Sequence, residues 1–587
     1  MKFGSYIAWK FSKISERNFL YVLSLVIGLL TGIAALILKN SIHFVANFLT
    51  SNFSESQWSF LYLAYPMIGI LITVIIVRYL IRDNLGHGVE KILFSLSRRR
   101  GTLEKHHTFS SIITSSFTIG FGGSVGAESP IVITGAAIGS NLARYFKLDY
   151  NAIRLMIGCG ATGAIAGIFN APIAGVIFTL EVLMLDLTMA SLIPLLISGI
   201  TAAVLAYFFM GESVLLKFTL THAFETRNIP YYIILGIFLG FLSLYFTRMT
   251  MFIESLYKKI DKFYVRLLVG GLILGILVFL FPSLWGEGYT SVSTIFNGHG
   301  ADLLNNSIFY SFKNNPFSLL SVFVLILLFK VVAMSSTSGA GGVGGIFAPS
   351  LFMGAVGGYF VAHTLNMFFP LNLAEENFAL AGMAAMMAGV MHAPLLGIFL
   401  IAEVTGGYQM FMPLIIASTV SYLTIMNFEP YSIYTKRLHE EGDLLTHHKD
   451  KMVLHFMKVR DLIENDFEMV SPDLTLGQLT YAIARSKRDL FPVVDENGMM
   501  KGMIKMNDIR NIIFEQELYE KITVSELMYM PEFFISPEDS MDVVVEKFRT
   551  SGRFNLAVID KGKYLGFISR ARVFSSYRDK VADLSED

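Results

Sequence analysis

A short loop in the first third of the chain places a carboxylate beside glycine and proline at a spacing that exposes backbone amides. Its sequence is Gly-Ala-Glu-Ser-Pro at residues 126–130, and an apolar run follows it. Proline fits the first turn of a helix, and glycine lets the backbone ahead of it fold tightly. The first amides of such a helix have no intrahelical acceptor and lie at the positive end of its dipole. The pattern predicts an anion site built from partial charges, which binds a halide without a full cation.

Glu128 lies within this predicted anion site, where a bound anion would repel its charge. A tethered carboxylate can compete with a mobile anion for the same amides and leave them when it is protonated, which makes it a gate and a proton acceptor. The alternative is an acidic residue that stabilises a helix N-terminus by ~0.5 kcal/mol. On the residues alone both interpretations stay open, and the family resemblance described below favours the gate.

Four further polar residues each have more than one interpretation. His87, in Gly-His-Gly-Val-Glu, could cap a helix, donate to an anion or sense pH. Tyr434 follows the last apolar run and could offer its hydroxyl to an anion or lie at the membrane interface. Glu181 and Glu403 end two apolar segments, and we interpret them as interfacial or capping acids. These groups form no metal cluster and no nucleophile–base pair in the sequence, so neither a metal site nor an enzyme is predicted.

The composition indicates that these residues lie in a membrane. Mean hydropathy is +0.57, 53% of residues are apolar, and the single cysteine excludes a secreted disulfide scaffold. Lys+Arg and Asp+Glu balance at 46 each, so no nucleic-acid partner is predicted. Charged residues make up about 31% of residues 451–587 but about 11% of residues 1–450. We therefore predict a membrane-embedded part, in contact with lipid, followed by a water-soluble part.

Apolar stretches of membrane length recur along the first part. The first, at residues 20–38, follows a basic N-terminus, which predicts that this terminus is cytoplasmic. Gly/Ala-rich stretches at 109–183 and 334–405 are predicted to be too short or too broken for simple spans. Further spans are predicted at about 59–80, 191–210, 231–247, 265–283, 318–334 and 411–427.

The broken stretches repeat. Segments 160–181 and 382–403 share glycine, proline and glutamate at identical spacings. A second pair, at 126–130 and 345–349, shares the form Gly-x-x-x-Pro. Two such copies indicate a repeat-built transporter whose site lies where the broken helices meet. The alternative, recurrent Gly/Ala packing of membrane helices, does not explain the identical spacings.

The polar tail contains a repeat of its own. Each copy is an apolar strand, a polar turn with glycine and a second strand, flanked by amphipathic helices. We predict two α/β modules at residues 456–515 and 520–580. A linker at 441–455 would join them to a membrane domain at 1–440.

Three loops and a tyrosine together resemble the CLC chloride channel and transporter family. Residues 86–90 correspond to its Gly-Ser-Gly-Ile-Pro loop, 126–130 to its Gly-Arg/Lys-Glu-Gly-Pro loop, and 345–349 keep Gly-x-Phe-x-Pro. Tyr434 matches the late pore tyrosine of the family. The resemblance implies an α-helical polytopic membrane protein with an inverted repeat of broken helices. It also implies a homodimer with one pore in each subunit.

The resemblance also implies roles for single residues. Glu128 would be the external gating glutamate, and backbone amides of the third loop would bind the central anion together with the pore tyrosine hydroxyl. The anion-binding positions that it implies are His87, Gly88, Ile346, Phe347 and Tyr434.

Three departures from the family pattern bear on function. His87 replaces the anion-coordinating serine and Glu90 the closing proline of the first loop, so preference for chloride over nitrate or another small anion stays open. The second loop has Ala127 and Ser129 for its basic residue and second glycine. Val182 replaces the inner proton-transfer glutamate that exchangers usually carry. Because valine cannot relay a proton, we predict channel-like chloride passage, with a proton-coupled chloride/H+ antiporter as the alternative.

The tail resembles a pair of CBS domains, which often bind adenine nucleotides between the two modules. The family's Gly-x-x-Thr/Ser-x-x-Asp ribose motif survives only in parts. The first copy keeps Asp508 but has Lys505 for the hydroxyl, and the second keeps Ser569 but has Arg572 for the acid. Regulation by an adenine nucleotide and a purely structural dimer clamp therefore both stay open, and no other cofactor is predicted.

Two classes of protein compete with an anion pore. A CBS-bearing cation transporter would need several inward carboxylates, and the repeat loops hold Glu128 alone. A membrane enzyme would need a partner nucleophile or metal ligands at a suitable spacing. We predict passage of a small anion across a cell membrane, most consistent with a bacterial inner membrane, with the CBS pair in the cytoplasm.

Overall fold

The chain divides into two units, Met1–Leu444 and Leu445–Asp587. The computed structural model describes residues 15–50, 61–83, 88–185, 189–210, 223–305, 307–440, 454 and 457–585.

The first unit is built from helices. Its described helices are α1 (Glu16–Thr50), α2 (Leu61–Ile75, continued by a π-helical turn at Ile76–Ile81), α3 (Gly88–Arg98), α4 (Ser110–Gly120), α5 (Glu128–Tyr145), α6 (Tyr150–Phe169), α7 (Pro172–Glu181), α8 (Met189–Met210), α9 (Ile229–Lys258), α10 (Phe263–Leu280), α11 (Tyr289–Phe296), α12 (Pro316–Gly339), α13 (Phe347–Phe368), α14 (Glu375–Met391), α15 (Pro394–Val404), α16 (Phe411–Met426) and α17 (Ile433–Glu440).

Eight of the described helical segments are long and apolar enough to cross a membrane. Six coincide with predicted spans. The other two, α6 and α13, lie inside the stretches that were predicted to be too broken to span, so that prediction was wrong there. Their glycines and alanines lower the hydropathy without shortening the helix. Most of each helix packs against protein, which explains why it needs less apolar surface than a lipid-facing span.

The two copies of the repeat make the same helix contacts. A Cβ on Gly160 of α6 would lie 2.0 Å from the carbonyl oxygen of Gly135 on α5. In the second copy, a Cβ on Gly382 of α14 would lie 2.2 Å from the carbonyl oxygen of Gly354 on α13. Glycine at these positions lets each helix pair pack backbone to backbone.

The second unit contains two small sheets. Its elements are α18 (Leu476–Arg485), β1 (Leu490–Val494), β2 (Met500–Lys505), α19 (Met506–Ile509), α20 (Val524–Leu527), β3 (Phe534–Ile535), α21 (Met541–Ser551), β4 (Asn555–Asp560), β5 (Lys563–Ser569) and α22 (Arg570–Ser585). Strand β1 pairs antiparallel with β2, while β4 pairs parallel with β3 and antiparallel with β5.

The strand–turn–strand segments of the two modules contact each other. The Met500 amide donates to the Gly562 carbonyl at 3.0 Å, and the Tyr564 amide donates to the Gly498 carbonyl at 3.1 Å. In the first turn, amides of Met499 and Asn497 donate to the Asp495 carboxylate and hold its pKa below the usual range. The turns are therefore a structural part of the contact between the modules.

Candidate anion site

The two Gly-x-x-x-Pro loops meet and hydrogen-bond to each other. The Gly126 amide donates to the Gly345 carbonyl at 2.9 Å, and the Gly345 amide donates to the Gly126 carbonyl at 2.7 Å. The sequence predicted a site where the broken helices meet, and this pair of bonds brings both helix starts, α5 and α13, to one place.

The segments that lead into the two loops also form reciprocal hydrogen bonds, each with the opposite copy of the repeat. The Thr118 hydroxyl at the end of α4 accepts from the Val343 amide at 3.1 Å. At the corresponding place in the second copy, the Thr337 hydroxyl of α12 accepts from the Ser124 amide at 3.2 Å. These reciprocal contacts relate the two copies by a local two-fold axis, so each loop is supported by the opposite repeat.

Glu128 is the first residue of α5 and is 2% exposed. Its Oε1 accepts a hydrogen bond of 2.5 Å from the Tyr289 hydroxyl. Its Oε2 lies where a Cβ on Gly126 would be, at only 1.9 Å, so the close approach requires glycine. The backbone amide of Ala348, from the other loop, also stabilises the charge of the carboxylate. Glu128 therefore lies between the two loops, in the position that the sequence predicted for an anion.

The helix that begins after the second loop carries Ile346 and Phe347, both buried. The N-cap residues, Ala127 of α5 and Ile346 of α13, make no side-chain cap, so the first-turn amides have no acceptor from their own N-cap residue. The Phe347 ring packs against Phe169 with centroids 5.5 Å apart. The anion-binding roles of Ile346 and Phe347 stay predictions, and the structure places both at the predicted helix start.

Tyr434 lies in the first turn of α17 and is 2% exposed, and Glu128 is one of the two acids that act electrostatically on its hydroxyl. Arg437, one turn later, forms ion pairs with Glu90 of α3 and Glu254 of α9. Glu90 therefore takes part in a half-buried ion-pair network that holds the helix of Tyr434.

Gly88 begins α3 and packs against the start of α5. A Cβ on Gly88 would lie 2.7 Å from the carbonyl oxygen of Ser129. The first predicted loop is thus brought next to the gate loop by a glycine contact. His87 lies outside the described residues, and its proposed anion contact stays a prediction.

The sequence analysis did not identify three residues of the site. Tyr289 begins α11 and donates to the gate, and Glu287, two residues earlier, accepts from the Ala127 amide at 3.0 Å. Lys330 of α12 is fully buried, with its Nζ 2.8 Å from the Ser124 hydroxyl oxygen and 4.8 Å from the Phe352 ring centre. A lysine within an apolar membrane run is a signal of function that the sequence did offer.

Glu181 and Glu403 lie away from the anion loops, at the ends of α7 and α15. Each carboxylate accepts hydrogen bonds from two backbone amides at the start of the other helix, so the capping interpretation is confirmed. Val182, next to Glu181, is buried, with 3% exposed. The acid next to Val182 is therefore committed to a helix cap.

A group of three potential metal ligands was not expected from the sequence. Asp83 Oδ2 lies 3.2 Å from His106 Nε2 and 3.5 Å from His107 Nε2. The same oxygen accepts from Lys91 Nζ at 3.0 Å. A lysine at that distance supplies the positive charge itself, so the geometry is that of an ion-pair cluster.

The two residues predicted to contact a nucleotide differ in their surroundings. Asp508 is exposed on α19. Ser569 ends β5, and its hydroxyl donates to Glu464 while accepting from the Arg572 amide at 3.1 Å. A ribose hydroxyl at Ser569 would have to compete with Glu464.

The described helices include segments of membrane length, and the two copies of the repeat are related by a local two-fold axis. Two helix starts also face one buried carboxylate. Together these features define a multi-pass membrane protein of the CLC transport type. Residues 68–425 match the family described as voltage gated chloride channel, which is more than half of the chain. The chain belongs to this family. Residues 459–515 and 524–579 match the CBS domain.

Relatives carry names of both transport modes. The chain is 29% identical over 391 residues to a putative chloride channel protein, ClcB-like, of Ralstonia nicotianae, which covers 65% of this chain and 86% of that protein. It is 27% identical over 434 residues to the H(+)/Cl(-) exchange transporter ClcA of Vibrio cholerae, covering 71% and 88%. The crystal structure of a slow cyanobacterial Cl-/H+ antiporter shares the fold, with TM-score 0.63 and 22% identity over 75% of this chain and all of that one.

Proposed function

We propose that the chain passes chloride, or a similar small anion, across the membrane through a pore that Glu128 gates. The observation that carries the proposal is the position of the Glu128 carboxylate between the hydrogen-bonded loops, at two helix starts whose N-cap residues provide no side-chain cap. An anion and this carboxylate would compete for the same amides. The names of the relatives, which concern chloride channels and chloride exchangers, support chloride as the anion.

We infer channel-like passage of the anion, and the inference comes from the residues on the inner side of the repeat. An exchanger needs a group that carries a proton from the cytoplasm to the gate. Val182 has no such group, and the neighbouring Glu181 carboxylate accepts from the amides of Leu395 and Leu396. Proton uptake by Glu181 would remove the charge that strengthens these two hydrogen bonds.

Proton-coupled exchange is the second candidate. Glu128 is itself a proton acceptor, and the Vibrio cholerae relative is named an exchange transporter. A water-filled path could then replace the missing inner glutamate.

The orientation in the membrane belongs to the proposal as well. The basic residues ahead of α1 favour a cytoplasmic N-terminus, and the polar second unit would then lie in the cytoplasm of a bacterial cell. The family resemblance supports a homodimer with one pore in each subunit.

The test uses purified protein in chloride-loaded liposomes, with chloride efflux and external pH recorded together. Channel-like passage predicts chloride release with no proton movement beyond that allowed by an added protonophore. Release that drives protons inward, and stops in Glu128→Ala, would establish the exchanger. The matched control is Glu468→Ala, an exposed acid of the second unit that should behave as wild type. The absence of chloride, nitrate and fluoride flux would contradict the anion pore.

A further inference from the structure

A short segment between α10 and α12 contacts the gate loop twice. Glu287 Oε1 accepts from the Ala127 amide at 3.0 Å, and the Tyr289 hydroxyl donates to Glu128 at 2.5 Å. Ala127 and Glu128 are consecutive residues at the start of α5. The segment therefore holds both the gate side chain and the backbone amide just ahead of it.

Glu287 competes with an anion for this amide. The amides at the start of α5 are the donors that the site offers to a negative ligand. A carboxylate oxygen at 3.0 Å from the Ala127 nitrogen occupies one of them in the way a bound anion would. As long as Glu287 is ionised, an anion that arrives from this side meets a filled donor and a second negative charge.

The charges around Glu287 come from three sides. Glu128 is the negative neighbour, and lysines from α1 and α12 are the positive ones. Glu287 also lines a cavity shared with Glu128, Tyr289 and a histidine of α1. The titratable and charged groups that face it are Glu128, Tyr289, Lys39, His43 and Lys330.

The gate loop contributes no positive charge of its own near Glu287. The loop has Ala127 where the family motif has a basic side chain, so no charge of its own offsets Glu287. Lys330 Nζ donates to the Ser124 hydroxyl oxygen, just ahead of the loop, at 2.8 Å. It also donates to the carbonyl oxygen of Gly286, next to Glu287, at 3.5 Å. With two carboxyls acting on consecutive residues, a proton on either one relieves the repulsion between them.

We propose that Glu287 is a second gate carboxyl in the mouth of the pore on the Glu128 side. As a carboxylate it occupies the Ala127 amide, and when it is protonated it releases that amide to a small anion. The inference rests on the proposed anion pore and deepens it, because it makes anion access from the gate side depend on two protonation events. Glu128 closes the site itself, whereas Glu287 closes the approach to it.

The experiment isolates Glu287 by first removing the charge of the other gate. Glu128→Gln protein is reconstituted in liposomes, and chloride uptake is measured at fixed internal pH and clamped voltage while the external pH varies. We expect uptake to fall as the external pH rises, by about tenfold between the protonated and the ionised form of Glu287, a ratio that one charge-assisted hydrogen bond supports. The double variant Glu128→Gln/Glu287→Gln should keep the low-pH rate at all values of external pH.

Two further variants keep the test decisive. His43→Gln in the Glu128→Gln background removes the imidazole that also lines the cavity and should leave the pH response intact. Glu287→Asp keeps the charge but withdraws it from the Ala127 amide, and it should raise uptake at high pH. A flat profile in Glu128→Gln alone, or a response lost in His43→Gln, would overturn the proposal. Chloride flux absent from every variant at every pH would instead refute the anion pore itself.

Discussion

Glu181 and Glu403 exchange helix caps between the two repeats. Glu181 accepts from the amides of Leu395 and Leu396 at 3.1 and 2.8 Å, and Glu403 accepts from the amides at the start of α7 at the same two distances. The positive ends of α7 and α15 are thus neutralised by acids of the protein itself. The N-cap residues of α5 and α13 provide no such cap. At α5 Glu287 accepts from the Ala127 amide, and the remaining first-turn amides are left to Glu128 and to an anion.

Removing either cap should destabilise the membrane unit without changing transport. We expect Glu181→Gln and Glu403→Gln to lower the free energy of unfolding by about 1 kcal/mol each, the usual value of a lost cap. Thermal unfolding in detergent measures the stability, and liposome assays measure chloride and proton movement. Because the two caps are equivalent, the two variants should agree. Loss of proton movement in Glu181→Gln alone would show that Glu181 carries protons.

Tyr289 should control how firmly the gate is closed. Tyr289→Phe removes the hydroxyl that donates to Glu128 at 2.5 Å, and a hydrogen bond to a charged group contributes about 1.5–3 kcal/mol. We expect chloride efflux at neutral pH to rise at least about tenfold, because the carboxylate leaves the site more often. Tyr245→Phe is the matched control, since its hydroxyl donates to the Leu328 carbonyl at 2.9 Å, away from the gate. An unchanged efflux in Tyr289→Phe would show that this bond does not hold the gate.

Local spacing made half of the site predictable. Glycine and proline positions define where a helix starts, so the loops at 126–130 and 345–349 could be identified, and their identical form indicated that they meet. The Gly126–Gly345 hydrogen bonds follow from that relationship. Glu128 was identifiable for the same reason, because it lies inside the motif.

The rest of the site depends on contacts between residues far apart in the chain. Tyr289 and Glu287 are 161 and 160 residues from their partners in the gate loop, and the segment around them has no recurring pattern. Glu90 could be seen as a departure from the family motif, but its ion pair with Arg437 could not, because only the fold brings α3 and α17 together. Helices α6 and α13 were missed since small residues hide their length from hydropathy.

Arg437 should hold the helix of the pore tyrosine in place. Arg437→Met removes the shared partner of Glu90 and Glu254 in a half-buried setting. We expect a cost between the ~1 kcal/mol of an exposed pair and the ~3–5 kcal/mol of a fully buried one. We expect a lower thermal midpoint and, below it, reduced chloride flux, because Tyr434 is in the same short helix. Arg248→Met is the control, since its more exposed ion pair with Glu429 contributes at most about 1 kcal/mol. Equal effects of the two variants would contradict the positioning role.

Adenine nucleotides should bind the CBS pair weakly. Ser569 donates to Glu464, and Arg572 stands where the motif has its acid. We expect 1 mM ATP or AMP to stabilise the full chain by less than about 0.4 kcal/mol, which corresponds to a dissociation constant above about 1 mM. Arg572→Asp restores the motif acid and should increase the thermal shift, whereas Arg578→Asp should not. A large shift in the wild type would establish a nucleotide site despite the incomplete motif.

Gly126 should be required for anion passage and not only for the gate. A Cβ at this position would lie 1.9 Å from Glu128 Oε2, so alanine displaces the carboxylate. Since the proposed anion uses the same position, the methyl group excludes the anion as well. We expect Gly126→Ala to reduce chloride flux at least about tenfold, in line with the cost of overpacking a tight site.

The double variant separates loss of the gate from loss of the site. If the carboxylate and the anion share one position, Glu128→Ala cannot restore flux in the Gly126→Ala background. Gly407→Ala is the control, because a Cβ there meets no atom within 4 Å and the residue needs no left-handed backbone. Higher flux in Gly126→Ala than in wild type would show that the anion passes elsewhere and that Glu128 blocks it from a distance.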